Sequence, residues 1–439
     1  MTDVIKLKKG LTIKLDGEAE KKVLNTSDAG AVQVFGIVPD DFVGVKPKMM
    51  VREGDEVKAG DALFVNKQYP NVSFVSPVDG KVTDIVRGDR RKVLCVKVKG
   101  GLAVSEAEKS PIALADAESM VAILAEKGLL GYITQMPYAI SANDQELPRD
   151  IFVSAFRDMP LSADVDFCLQ GEEDNFVKGL EVLSKIAPVH VGLSYEKREA
   201  LSQKLSSLDS QLLTLHYISG KCPAGNVNVQ INNIKPINKG EIVWTAEPEV
   251  VMFIGRLFNT GKVDFHKKVA ICGSEVNDPH YEKVVVGQSV ASFLQNVGEG
   301  CRIINGNVLT GKKTTDTNAF VGAHSYEVTV IPEGDDNAEM LGWIAPMCLR
   351  NRKPADARIK GGRRHMIMSG EYDKVLPMDI FGEYLIKAII CGDIDRMEQL
   401  GIYEVAPEDF ALAEYVDSSK LELQRIVREG LDMLRKENS

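Results

Sequence analysis

Short apolar runs, separated by glycine, proline and aspartate, fill the first hundred residues of the chain. The pairs Gly54-Asp55 and Gly60-Asp61 are typical of tight turns, and Asp79-Gly80 is typical of a hairpin tip. This pattern predicts a small all-β domain. The predicted strands lie in the runs KLKKGLTIKL, VFGIV, ALFV, VSFVSPV and RKVLCVKVKG.

A helical period appears after Pro111 and alternates with apolar strands. Apolar side chains fall on one face of residues 120–127 and 175–187, and Gly128 ends the first of these helices. The order of the elements predicts parallel strands with right-handed crossovers. The strands are expected at 151–156, 189–194 and 212–218, with a helix at 196–208 between the last two and another helix opened by Pro248.

From Gly261 the pattern is again mainly strands, crossed by one helix that Ser289 is expected to cap, which indicates a β-grasp domain. From about Tyr372 the pattern is helical. Two apolar stripes are expected to face the core there. They are Phe381, Leu385, Ala388 and Ile389, and then Leu423, Val427, Leu431 and Leu434.

Composition narrows the class of protein. With 439 residues, 44% hydrophobic and 26% charged, the chain is expected to fold into three or four globular domains. A formal charge of -10 disfavours nucleic acid as a partner, because binding to phosphates needs an excess of Lys and Arg. No apolar run has the length of a membrane span, and the opening MTDVIKLKKG is too polar for a signal peptide.

The seven cysteines are widely spaced, and no two lie within four residues of each other. Such spacing offers neither a CxxC zinc or redox site nor an iron–sulfur motif, so we expect no metal bound by this chain. We interpret the cysteines as reduced, mostly buried thiols.

Four stretches resemble catalytic or cofactor motifs incompletely. Lys67, in VNKQYP, stands where a lipoyl or biotinyl carrier presents its lysine, but its neighbours differ from carrier motifs. Residues 306–314, GNVLTGKKT, nearly match a P-loop but have Lys313 where the motif needs Ser or Thr. The segment after the first α/β strand, RDMPLSADVD, lacks the glycines of a dinucleotide site. CPAGNVNVQI, 222–231, is interpreted as a turn that enters a strand.

Two loops combine aromatic, Met and small residues, namely 40–50 and 131–139. Such loops pack within the fold in most proteins, but they also suit a flat apolar ligand held by a few polar groups. The sequence leaves both interpretations open.

Taken in order, several stretches resemble one family, the A subunit of the bacterial sodium-translocating NADH:quinone oxidoreductase. These stretches cover nearly the whole chain. They are VGVKPKMMVREGDEVKAGDALF, SPVDGKVTDI, HYISGKCPAGNVNVQI, IVWTAEPEVVMFIGRLFNTGKV, RIINGNVLTG, LGWIAP, YDKVLPMDI and GDIDRMEQLG.

The C subunit of the Rnf complex and the flavoprotein subunit of respiratory complex I have a similar architecture. Those relatives hold flavin or NADH with a glycine-rich loop and iron–sulfur clusters with cysteines. Here GLLGYITQMPY replaces the loop, and LPM at 376–378 and EYVDSSK at 414–420 replace the cysteine motifs. The resemblance implies a subunit that kept the scaffold and lost its redox groups.

The implied fold is multidomain α/β and α+β. A lipoyl-like barrel-sandwich hybrid without carrier function is expected at 1–105. It is followed by a Rossmann-like α/β domain without the glycine-rich loop at 106–260, an SLBB-type β-grasp domain at 261–335, and a linker with a helical C-terminal domain at 336–439.

The resemblance also implies a function in NADH oxidation, quinone reduction and sodium export. The chain would be a peripheral subunit on the cytoplasmic face of the bacterial inner membrane, without a membrane span. Its partners would be subunits B to F, which would hold FAD, FMN, riboflavin, iron–sulfur centres and the NADH site. No catalytic residue and no bound cofactor are expected in this chain.

The expected contacts with quinone, such as ubiquinone, or with the membrane subunit are Phe42, Gly44, Lys46, Tyr132, Met136 and Tyr138. The alternatives are an assembly subunit or a free ligand-binding protein without quinone contact, a stand-alone flavin or NADH oxidoreductase, and a carrier modified at Lys67.

Overall fold

The N-terminal segment contributes short strands to two sheets that are otherwise built much later in the chain. The computed structural model describes residues 4–25, 32–101, 110–196, 205, 213–294, 297–334, 356–359 and 362–438. Strand β1 (Val4–Lys6) pairs in parallel within the α/β sheet, and β2 (Val23–Leu24) pairs in parallel within the β-grasp sheet. These two strands therefore lie outside the barrel-sandwich sheets, although the expected division groups them with that domain.

Two facing sheets form the barrel-sandwich domain. Their strands are β3 (Gln33–Ile37), β4 (Pro47–Met49), β5 (Glu56–Val57), β6 (Ala62–Asn66), β7 (Ser73–Val75), β8 (Gly80–Arg87) and β9 (Val93–Gly100). The orders are β3-β9-β8-β5 and β4-β6-β7. Inward side chains such as Phe64, Phe74 and Val82 are fully buried, as the alternating pattern predicts.

The α/β domain follows, and it contains the predicted parallel strands. Its elements are α1 (Ala117–Glu126), β10 (Thr134–Met136), β11 (Ile140–Ser141), β12 (Asp150–Ser154), α2 (Val165–Leu169), α3 (Glu173–Ser184), β13 (Val189–Ser194), β14 (Leu213–Ser219), α4 (Val227–Ile234), β15 (Val243–Thr245) and α5 (Pro248–Thr260). The sheet order is β1-β14-β13-β12-β15-β10-β11. The parallel pairing of β12, β13 and β14 is confirmed. The helix predicted at 196–208 falls largely outside the described residues.

Helices α3 and α5 pack closely because a glycine on each lets the backbones approach. A Cβ atom on Gly179 would lie 1.9 Å from the Val251 carbonyl oxygen, and one on Gly255 would lie 1.7 Å from the Asn175 carbonyl oxygen. Helix α5 begins with Pro248 in its first turn and ends at Gly261, whose φ is +74°. The start of α5 lies beside the end of β12, because the Ala246 amide donates to the Phe152 carbonyl at 3.0 Å.

The strand predicted within residues 222–231 is wrong, because this segment forms helix α4. Its alternating Val and Asn residues are typical of a half-exposed strand, yet Asn228, Gln230 and Asn232 are all buried. Gln230 and Asn232 form hydrogen bonds with residues far along the chain. Gln230 Nε2, for example, donates to Ser154 Oγ at 2.8 Å. A helix buried nearly all round carries no amphipathic period, which explains the error.

The β-grasp domain contributes a mixed sheet. Its strands are β16 (His266–Cys272), β17 (His280–Val285), β18 (Cys301–Asn305), β19 (Lys312–Lys313) and β20 (Glu327–Pro332), and with β2 they form the order β19-β18-β20-β16-β17-β2. The helix expected after Ser289 is only a 3₁₀ turn, Val290–Ser292, as far as the described residues extend.

Helices form the C-terminal part, as predicted. They are α6 (Tyr372–Val375), α7 (Gly382–Cys391), α8 (Ile394–Gln399), α9 (Ala411–Val416) and α10 (Leu423–Glu437). The second predicted stripe is buried throughout, but Phe381 of the first stripe is 65% exposed. One core cluster joins these helices to the α/β domain through Phe152 and Val243.

Candidate functional site

A cavity of about 590 Å³ lies where all four parts of the chain meet. Ser154 and Thr245, the last residues of β12 and β15, are part of its lining. The strand order reverses between these two strands, since β13 and β14 lie on one side and β10 on the other. Doubly wound folds bind ligands at this position, outside the carboxyl ends of the strands.

Aromatic side chains form one wall of the cavity. The Tyr132 and Phe42 rings meet edge to face with centroids 5.1 Å apart, and His324 lies 6.1 Å from the Tyr132 ring. Tyr132 and His324 line the cavity, and so do Asp41 and Val43 on either side of Phe42. The wall is therefore built jointly by the barrel-sandwich, α/β and β-grasp domains.

A buried ion network forms the wall at the carboxyl end of β12. Arg157 donates to Glu249 Oε2 at 2.6 Å and to Glu247 Oε2 at 2.8 Å. Its guanidinium carbon also lies 4.0 Å from the centre of the Tyr326 ring. Burial alone would lower the pKa of Arg157, but the two carboxylates outweigh this and raise it. Arg157 therefore remains charged.

Two other titratable groups of the cavity wall, Asp158 and His324, are shifted toward their neutral forms. Burial raises the pKa of Asp158 to about 6. Enclosure by protein, with Lys267 and Lys312 nearby, lowers the pKa of His324 to about 4. The His324 side chain nevertheless faces the cavity and is exposed to solvent. Water in the cavity therefore reduces the lowering of its pKa.

The structure brings together only part of the predicted site. Of the six residues, Tyr132 lines the cavity and Phe42 packs against it, and both are buried. Gly44 lies beside Arg435 of α10, and Lys46 is an exposed residue just before β4. Neither belongs to the cavity wall.

Met136 and Tyr138 belong to the contact between the α/β domain and the C-terminal helices. Met136 is buried in the core that these parts share, and Tyr138 packs against that core. Arg428 of α10 donates to the carbonyl oxygens of Tyr138 at 2.7 Å and Ala139 at 2.9 Å. Ala139 reaches the cavity, but Met136 and Tyr138 do not.

Several polar residues of the cavity wall were not predicted from the sequence. Arg157, Glu247 and Tyr326 are among them. Arg157 lies three residues after the end of β12, and this position is a usable signal in a doubly wound fold. Tyr326 comes from another domain, so no local pattern points to it. Residues 306–311 of the near P-loop form the turn between β18 and β19, and Lys312 at the start of β19 also lines the cavity.

The cavity wall does not fit a nucleotide. In nucleotide sites of this fold, the amide end of a helix faces a phosphate. Here Glu247 and Glu249 lie at the start of α5 and are held by Arg157. Among the described residues, no group of three or more His, Cys, Asp or Glu side chains could hold a metal ion.

Lys67 is an exposed residue in the loop between β6 and β7, and its backbone amide donates to the Lys46 carbonyl at 2.7 Å. Within the parts of the chain that the structure describes, no helix combines the length and apolar character needed to cross a bilayer.

Fold and cavity together define a multidomain chain in which a barrel-sandwich, a doubly wound α/β and a β-grasp unit close around one ligand-sized cavity. Family models agree with this class. The N-terminal barrel-sandwich hybrid domain of NqrA matches residues 5–100, its second alpha/beta domain matches residues 115–263, and a model described as the NQRA C-terminal domain matches residues 268–316.

Curated relatives match over the full length. The A subunit of the Na(+)-translocating NADH-quinone reductase of Neisseria meningitidis serogroup B is 31% identical, over 99% of this chain and 100% of the relative. The corresponding protein of Haemophilus influenzae strain 86-028NP is 30% identical over the same shares. The chain belongs to the family formed by the A subunits of the Na(+)-translocating NADH-quinone reductase.

Proposed function

We propose that this chain contributes to quinone binding in a sodium-translocating NADH:quinone reductase. In this proposal it is a peripheral subunit on the cytoplasmic face of the membrane, and it binds no redox cofactor itself. Relatives that match its full length are named as the A subunit of that enzyme, which supports the assignment to the complex.

The observation that carries the quinone role is the cavity at the carboxyl ends of β12 and β15. A quinone ring is flat, uncharged and mainly apolar, with two carbonyl oxygens. It needs an apolar slot with a few hydrogen-bonding groups. The wall formed by Tyr132, with Phe42 behind it, supplies the apolar surface, and Thr245 supplies a hydroxyl group.

The redox groups are assigned to partner subunits in this proposal. Subunits B to F would hold the flavins, the iron–sulfur centres and the NADH site. The carboxylates Glu247 and Glu249 at the start of α5 support this division, because they would repel the phosphate of FMN or NADH.

A second candidate role is docking on a membrane subunit of the same complex without quinone contact. The observation that favours it is a pair of exposed aromatic side chains at the start of α7. Phe381 and Tyr384 are 65% and 57% exposed, and their ring centroids lie 6.4 Å apart. Neighbouring apolar side chains exposed together are typical of contact surfaces.

Steady-state kinetics of the assembled complex distinguish the two roles. Phe42→Leu and Tyr132→Leu should each raise the apparent KM for quinone several-fold and leave the KM for NADH unchanged. Lys48→Ala changes an exposed residue that does not line the cavity and serves as the control. An unchanged quinone KM in both leucine variants would favour docking alone.

A further inference from the structure

The charge at the start of α5 decides what kind of ligand the cavity accepts. Glu249 is almost fully buried, Glu247 is partly exposed, and Arg157 pairs with both. A phosphate at this point would face two carboxylates balanced by one guanidinium. An uncharged ligand avoids that repulsion and also leaves the Arg157 pairs intact.

Tyr326 presents a hydroxyl group that the protein leaves unsatisfied. The side chain lines the cavity, the residue is 6% exposed, and its hydroxyl oxygen has no hydrogen-bond partner among the described residues. A buried hydroxyl without a partner costs about 1–3 kcal/mol, so such groups usually have a role. The hydroxyl oxygen itself has almost no accessible surface, so a ligand oxygen reaches it from the cavity only after a small shift of the side chains around it, and the new hydrogen bond would then satisfy the hydroxyl.

The chemistry around Tyr326 makes that hydroxyl a donor. Burial, followed by the charges of Glu247 and Glu249, raises the pKa of Tyr326 well above its ordinary value, so the proton stays on the oxygen. Arg157 and Lys267 fix the ring by cation–π contacts, with the Lys267 Nζ atom 4.7 Å from the ring centre. The matching ligand group is an acceptor, such as a carbonyl oxygen.

We infer that the cavity binds an uncharged ring compound with carbonyl oxygens, and that the Tyr326 hydroxyl donates a hydrogen bond to one of them. This inference rests on the proposed function, in which that compound is a quinone. It adds the residue that recognises the carbonyl group and the acidic start of α5 that excludes nucleotides.

The test is a calorimetric titration of the full-length chain with decylubiquinone, which measures the affinity directly. Tyr326→Phe keeps the ring and removes only the hydroxyl. It should weaken decylubiquinone binding roughly 5- to 10-fold, the value of one hydrogen bond. Thermal stability should not fall, because the hydroxyl has no protein partner among the described residues. Tyr415→Phe, on an exposed tyrosine of α9, should bind like the unmodified chain.

Two further probes separate recognition of the carbonyl from a general effect on the cavity. A decyl-substituted benzene without carbonyl oxygens should lose no affinity in Tyr326→Phe. FMN should not displace decylubiquinone. Displacement by FMN, or equal losses for both ring probes, would overturn the inference.

The measurements distinguish a failure of the inference from a failure of the proposed function. If the unmodified chain binds decylubiquinone and Tyr326→Phe binds it equally well, only the inference fails. If the unmodified chain does not bind decylubiquinone, and Phe42→Leu and Tyr132→Leu also leave the quinone KM of the complex unchanged, the quinone role fails and the inference fails with it.

Discussion

Arg157 is the residue on which most of the cavity's polar wall depends. It joins the carboxyl end of β12 to the start of α5, and it lies over the ring of Tyr326 from the β-grasp domain. A buried guanidinium is tolerated only when it is paired, because removing it from water is costly. The two glutamates therefore fix Arg157 in place, and Arg157 in turn contacts the β-grasp domain through the ring of Tyr326.

Removing the buried glutamate should cost much more than removing the partly exposed one. Glu249→Ala leaves Arg157 with Glu247, whose side chain is 41% exposed, and we expect the free energy of unfolding to fall by about 2–3 kcal/mol. Glu247→Ala is the matched control, with an expected loss below about 1 kcal/mol. Urea unfolding followed by circular dichroism measures both. Equal losses would show that Glu249 has no special role.

Asp158 should make the stability of the protein depend on pH. Its folded-state pKa of about 6 lies above the unfolded value of about 3.9, because burial disfavours the carboxylate. The folded state therefore binds more protons between these values, and stability falls as pH rises from about 4 to about 6, then stays level. The total fall is about 2–3 kcal/mol at most.

Asp158→Asn should remove this slope, whereas Asp316→Asn, in an exposed loop, should keep it. A series of urea midpoints across this pH range provides the measurement. An unchanged slope in Asp158→Asn would mean that another group titrates.

At the scale of elements, hydrophobic periodicity was sufficient to predict a helix or strand that buries one face and exposes the other to solvent. Helices α1, α3 and α10 follow from such patterns, whereas strands β12, β13 and β14 follow from short apolar runs between helices. Helix α4 could not be predicted, because its buried Asn and Gln side chains are satisfied by residues far along the chain. Only the tertiary structure shows that these polar positions are interior.

The candidate site was predictable only in part, for a related reason. Phe42 and Tyr132 come from loops whose composition indicates an apolar slot, and the structure brings their rings together. Met136 comes from a loop of the same composition, but its side chain packs in the core that the α/β domain shares with the C-terminal helices. The polar wall around Arg157 and Tyr326 forms only where domains meet, which no local pattern encodes.

The whole molecule is held together by segments that cross between its parts. Strand β1 extends the α/β sheet, strand β2 extends the β-grasp sheet, and Arg428 of α10 anchors the backbone of residues 138–139. The cavity is lined by all four parts. Its shape therefore depends on how the domains are packed, and a partner that shifts one domain would alter the cavity.

Membership of the complex can be measured by mild-detergent purification of the tagged chain from its native membranes, followed by an assay of NADH-driven quinone reduction with and without sodium. We predict that integral membrane flavoproteins co-elute and that sodium stimulates the activity of the eluate. Recovery of the chain alone, colourless and without activity, would contradict its assignment to a sodium-translocating NADH:quinone reductase.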